Sequence, residues 1–200
     1  MKHQQDSGRQ SIEKCRVFHP DKLTNHLRMS KVYQILSICF FLVIHSTVTF
    51  SQTSVAKAEA VFIYNFTRLI EWPSDFKKGD FVIGIYGTTD VLQEISHYMT
   101  GKTVGSQSVK VVKYNTVESI GRCHILFVAF GKSNEISLVQ ERIGNNKTLI
   151  VGEKNGLLKN GAAINFVVID NNLKFELNST NASKYGLKIL SALEKLSINK

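Results

Sequence analysis

Three nearly unbroken apolar runs constrain this chain more than any other feature: Phe81–Tyr86 (FVIGIY), Cys123–Phe130 (CHILFVAF) and Thr148–Val151 (TLIV). Each has the length of a strand, and none alternates apolar with polar as a strand with one wet face does. A strand with no polar face has to be covered on both sides, which is its situation in a parallel sheet packed between helices. The intervals between the runs fit that reading. Gly87-Thr88-Thr89-Asp90 leads into Val91–Met99, whose Val91, Leu92, Ile95 and Met99 fall at helical spacing, with Thr89 or Asp90 placed to cap it. Gly101–Gln107 reads as a loop and Ser108–Tyr114 as a strand, and Ser133 or Asn134 opens a helix over Glu135–Ile143. Strands alternating with helices at this spacing predict β-α-β units.

The last quarter changes pattern. Ala163–Ile169 and Leu173–Leu177 are strand-like and are joined by Asp170-Asn171-Asn172, side chains that favour tight turns, so an antiparallel hairpin is expected. A closing helix is expected over Asn181–Leu196, capped by Ser179 or Thr180. Its Ala182, Leu187, Leu190, Leu193 and Leu196 form a stripe against the sheet. The predicted fold class is therefore α/β: a mainly parallel sheet flanked by helices, with a C-terminal β-hairpin and closing helix.

Before the first strand, Val55–Pro73 (VAKAEAVFIYNFTRLIEWP) reads as one helix stopped by its proline. Ala58, Phe62, Phe66 and Leu69 give its apolar stripe, with Val61, Ile70 and Trp72 alongside. Asn65, Arg68 and Glu71, three residues apart, fall on one polar edge. That edge is a candidate partner- or ligand-facing surface, together with Tyr64; the simpler alternative is a solvated face.

Further upstream, Met29-Ser30-Lys31 followed by the ten-residue apolar run Ile35–Ile44 has the layout of a signal peptide, with small residues at Thr49 and Ser51 before Gln52. The run falls well short of the roughly 20 apolar residues a membrane span needs. The expected organisation is Met1–Arg28 as upstream sequence outside the protein, 29–51 as a signal peptide, and 52–200 as a single α/β domain. Export through a signal peptide implies a secreted product with no stable membrane insertion after cleavage; an uncleaved anchor is the rival. Residues 1–51 carry seven Lys/Arg and three Asp/Glu, which leaves 18 and 13 in the mature chain, a net charge of +5. Without a basic cluster, that balance gives no support to a nucleic-acid partner. Cys123 is the one cysteine left after residue 51, so an intramolecular disulfide is excluded, and at the head of an apolar strand it reads as a small buried hydrophobe.

Motifs that would dictate chemistry are missing. Gly84-Ile85-Tyr86-Gly87 ends a strand where a nucleotide fold carries its phosphate loop, but neither G-x-G-x-x-G nor a P-loop is present. His97 and His124 stand outside any zinc spacing, and no nucleophile elbow can be found. Glu153, Asp170 and Glu176 have the chemistry for acid–base work, yet carboxylates at strand ends are more often solvated. The expectation is a protein that is not an enzyme, with no cofactor and no metal. Asn165 and Glu176, on the two hairpin strands, are candidates to meet a partner's edge; the simpler reading is that they stabilise each other across the hairpin.

The stretch AVFIYNFTRLIEWP resembles the opening signature of the YfiR-like family of secreted bacterial proteins. Gly101–Gly105 (GKTVG), Cys123–Phe127 (CHILF), Thr148–Glu153 (TLIVGE), Gly161–Phe166 (GAAINF) and Phe175–Asn178 (FELN) follow in the family's order. The resemblance implies a periplasmic regulator, commonly a dimer, that represses a membrane-bound diguanylate cyclase through that enzyme's periplasmic sensor domain. Such repression lowers cyclic-di-GMP and limits biofilm formation. The resemblance also implies an interface or structural role for Tyr64-Asn65-Phe66. Some relatives are stapled by disulfides, and a lone Cys123 departs from them. The alternative is a small-ligand binding module that uses the loops after Tyr86 and Phe130.

Overall fold

A computed structural model describes Tyr33 and residues 49–199. The upstream segment 1–28 and most of the expected signal peptide lie outside the described residues. Among those described, no helix is long and apolar enough to cross a membrane.

The first helix, α1, runs Thr49–Leu69 and passes directly into a two-residue strand, β1 (Ile70–Glu71). The helix therefore ends one turn before Pro73, and Trp72 and Glu71 are not part of it. The residue before a proline is pushed toward extended backbone, and here the extended stretch reaches back to Ile70. It pairs antiparallel with β9 (Lys188–Ile189), Ile70 opposite Ile189 and Glu71 opposite Lys188. The buried stripe of α1 is also offset from the expected one: Ala56, Glu59, Ala60, Ile63, Phe66 and Thr67 are buried, whereas Ala58, Phe62 and Leu69 flank them half-buried.

The main sheet has seven strands in the order β3-β4-β2-β5-β6-β7-β8. These are β2 (Phe81–Tyr86), β3 (Thr103–Val104), β4 (Gln107–Tyr114), β5 (Ile125–Val128), β6 (Leu149–Gly152), β7 (Ile164–Ile169) and β8 (Asn172–Leu177). The five central strands are parallel, and β3 and β8 run antiparallel at the two edges. In the middle of β2, Gly84 is required by packing, since a Cβ there would lie 2.6 Å from the ring of Tyr114 on β4. Helix α2 (Val91–Met99) returns the chain from β2 toward β4, and α3 (Ile136–Ile143), entered through a 3-10 turn over Phe130–Glu135, carries it from β5 to β6. Right-handed crossovers in opposite directions place these two helices on opposite faces of the sheet. Phe62 and Phe66 of α1 pack on Phe166 and Phe175, 5.3–5.9 Å between ring centroids, so α1 covers the β7–β8 side of the sheet.

The hairpin turns through Asp170 and Asn171, both at positive φ (50° and 59°), the conformation that matches the twist of a two-residue connection. The expected closing helix is two helices, α4 (Ser179–Lys184) and α5 (Ser191–Leu196), with β9 between them. Gly186, at φ 68°, ends α4: its N–H donates to Ser183 C=O (2.9 Å) and Leu187 N–H donates to Ala182 C=O (3.2 Å). That pair of bonds is a Schellman stop. The cap of α4 is Asn178, whose side chain accepts from Asn181 N–H at 3.0 Å, rather than Ser179 or Thr180. Leu193 is buried but Leu196 is 62% exposed, so the stripe does not continue to the end. Past α5 the chain runs along the outer edge of β8. Ile198 N–H donates to Phe175 C=O, and the Asn199 amide both accepts from Leu177 N–H (2.8 Å) and donates to Leu177 C=O (2.9 Å).

Candidate functional site

The order β4-β2-β5-β6-β7 reverses direction between β2 and β5. In open α/β sheets such a reversal leaves a crevice at the carboxyl ends of the strands, where ligands bind. Here the crevice is a cleft of about 420 Å³ lined by Val55, Ala56 and Glu59 from α1, Thr88, Thr89, Asp90 and Val91 from the β2–α2 connection, and Glu153 just beyond β6. Glu59 is only 3% exposed. Burial pushes its carboxyl up to about 8, and the neighbouring carboxylate of Glu153 adds to the rise. Glu153 is also raised by burial, against the opposing effect of the Phe130 N–H, which donates to its Oε1 at 2.7 Å. Thr89 Oγ1 accepts from Val91 N–H at 3.3 Å, holding the first turn of α2.

A second polar group stands at the same ends of β2 and β5. Tyr86 donates its phenol proton to Glu135, and Lys132 Nζ pairs with the other oxygen of that carboxylate at 2.7 Å, lying 5.2 Å from the Tyr86 ring centre. Burial first, and then donation to Glu135, hold the Tyr86 phenol above its ordinary range. Lys132 and Tyr86 together hold Glu135 below its own. Beyond them Phe130 is 62% exposed, with the Lys154 ammonium 5.7 Å from its ring centre. This group is internally satisfied, whereas among the described residues nothing donates to Glu59 in the cleft.

The residues singled out from the sequence lie elsewhere. Asn65 and Arg68 are exposed on α1. Tyr64 is half-buried, edge-on to Tyr98 of α2 at 5.7 Å, and Lys102 Nζ lies 5.1 Å and 4.6 Å from the two ring centres. Glu71 does not share the helical edge; it sits on β1 and forms an exposed ion pair with Lys188 at 3.2 Å. Asn165 is fully buried on β7 and donates to Glu176 on β8 at 3.3 Å, while its Oδ1 is buried without a partner among the described residues. That is the cross-strand pairing favoured as the simpler reading. His124 is a structural pin: its Nδ1 accepts from Val82 N–H at 3.1 Å and its Nε2 lies 2.7 Å from Phe76 C=O, a pairing that requires the neutral ring protonated on Nε2.

Sequence reasoning missed Glu59. It lies inside the helix that was read, but the stripe was phased one residue away. The available signal was that Ala56, Ala60, Ile63 and Phe66 also fall at three- and four-residue steps, and Glu59 interrupts that set.

Among the described residues, no group of three His, Cys, Asp or Glu side chains is placed to hold a metal ion. Taken together, the fold and the cleft define a doubly wound α/β protein with a carboxylate-bearing crevice at its switch point. Residues 56–197 match the family model described as YfiR/HmsC-like, nearly the whole of the described chain, and the protein belongs to that family. It is a family of regulatory periplasmic proteins. No curated protein matches the chain.

Proposed function

We propose that this protein is a periplasmic repressor that binds the periplasmic sensor domain of an inner-membrane diguanylate cyclase, holds the enzyme off and so lowers cyclic-di-GMP and restrains biofilm formation. The observation that carries this reading is the family match over residues 56–197. In this reading the protein is exported, acts without catalysis, and presents the exposed edge of α1 to its partner. Asn65 and Arg68 make the contact, and Tyr64, fixed against Tyr98 beneath Lys102, shapes the surface beside them. Glu176 and Asn165 support the hairpin, and Glu71 joins β1 to β9. The test is a pull-down of the tagged mature protein from its native envelope, run beside thermal melts. Asn65→Ala with Arg68→Ala is expected to keep the melting temperature within a few degrees and to lose the sensor-domain partner. Capture equal to wild type would move the interface off this edge.

A second reading, a small-ligand binding module, is favoured by one observation: the roughly 420 Å³ cleft lies at the switch point, where this class of sheet binds its ligands. The two readings are compatible if ligand occupancy governs repression.

A further inference from the structure

We propose that the cleft between α1 and the β2–α2 connection binds a small organic amine, whose ammonium group is held between the carboxylates of Glu59 and Glu153. The assignment rests on the reading of the cleft as a ligand site. Three features of the cleft point to an ammonium rather than to another ligand.

The first is Glu59 itself. It lines the cleft, is 97% buried, and among the described residues no hydrogen-bond donor reaches it. Burial makes the charged form of such a carboxylate costly. A ligand that brings both a positive charge and N–H donors removes that cost. The second is the company it keeps. Glu153 stands across from it with one oxygen already occupied by Phe130 N–H, so each carboxylate has acceptor capacity left to share with a donor between them. The third is the rest of the lining. The hydroxyl of Thr88 offers a further acceptor, and Val91 gives an apolar wall suited to the methylenes of an alkyl amine. A metal ion fits less well, because among the described residues no three His, Cys, Asp or Glu side chains are placed together to hold one.

The ionisable groups facing Glu59 across the cleft are Glu153 after β6 and Asp90 before α2; Lys132, after β5, is occupied by Glu135. With its carboxyl near 8, Glu59 is protonated at neutral pH, and an ammonium takes the place of that proton. Binding therefore tightens as pH rises toward 8.

The experiment is isothermal titration of the mature protein with putrescine at pH 6.5 and pH 8.5, alongside inorganic phosphate and calcium chloride. Thermal melts of each variant establish that it is folded. Putrescine is expected to bind several-fold more tightly at the higher pH. Glu59→Gln, which keeps the shape of the protonated acid, is expected to weaken binding at least tenfold with an unchanged or higher melting temperature, and Glu153→Gln is expected to weaken it comparably. Binding of phosphate or calcium without putrescine would overturn the amine while keeping the cleft as a ligand site. No binding of any of the three, or putrescine binding equal in wild type and Glu59→Gln, would overturn both.

Discussion

At each end of strands β2 and β5 an ionisable side chain from a neighbouring segment is buried, His124 at one and Glu59 at the other, and these two are treated in opposite ways. At the amino ends, His124 is 4% exposed, stacked on Phe81 at 4.1 Å and edge-on to Trp72 and Phe76, with both ring nitrogens hydrogen-bonded. At the carboxyl ends, Glu59 is equally buried but faces another carboxylate, and among the described residues nothing donates to it. A buried polar group with every partner in place fixes a structure. One held without partners weakens the fold, and proteins keep such groups where something outside the fold is to be met. On the ligand-site reading proposed above, the difference separates a structural end of the sheet from a recognition end.

The most damaging way to break the comparison is to remove the structural end. Trp72→Ala truncates an aromatic that is 6% exposed and packed edge-on against Phe81 at 5.1 Å. The expected loss is about 3–5 kcal/mol, toward the lower figure because the buried indole N–H has no partner among the described residues to lose. Urea denaturation measures it, and a loss under about 1 kcal/mol would show that this end does not anchor the sheet.

The recognition end is sharpened by pH. The carboxyl of Glu59 rises from 4.5 to about 8 in the folded state, so its contribution to stability is fully present below pH 4.5 and is lost as pH climbs through 8. Glu59→Gln should therefore melt near the wild-type temperature at pH 4.5 and several degrees above it at pH 8.5. Parallel melting curves across that range would mean the carboxylate is solvated after all.

His124 tilts the opposite way. Burial holds its ring below the ordinary 6.5, with Arg122 adding to the effect, so its stabilisation is complete above pH 6.5 and is lost as pH falls through the lower folded value. His124→Asn should be less stable than wild type at pH 7, with a shallower decline between pH 6.5 and 5. An unchanged acid-side slope would remove His124 from the account.

The smallest effect is expected at Cys123. Burial pushes the thiol up to about 12, which leaves it inert as a nucleophile. Cys123→Ala should shift the melting temperature by a few degrees at most and leave oligomeric state unchanged. Loss of a dimer band on a non-reducing gel would reveal an intermolecular disulfide.

The parts of this fold that were legible in the sequence are those written in a single periodicity. Phe81–Tyr86 and Val91–Met99 have the predicted limits, because an apolar run and a clean helical stripe each leave one arrangement open. The sequence could not show that Ile70 and Ile189 meet, since pairing between two-residue strands 119 positions apart leaves no local trace. The division of the last helix was readable in principle from Gly186, but Ala182, Leu187 and Leu193 are buried whether or not the helix is continuous. The cleft was half visible. The loop after Tyr86 was identified as a place for ligands, while Glu59 stood inside a helix where a charged residue is ordinarily solvated. Only the approach of Glu153 from another strand shows its position.

The tail along β8 has a bearing on how the protein behaves in a crowded compartment. An outermost strand offers a row of open amides that recruits strands from other molecules and seeds fibrous deposits. The side-chain amide of Asn199 imitates a peptide group, giving and receiving at Leu177 as a neighbouring chain would. The molecule thus supplies its own counterfeit neighbour. Resistance to uncontrolled self-assembly then rests in part on one short polar side chain.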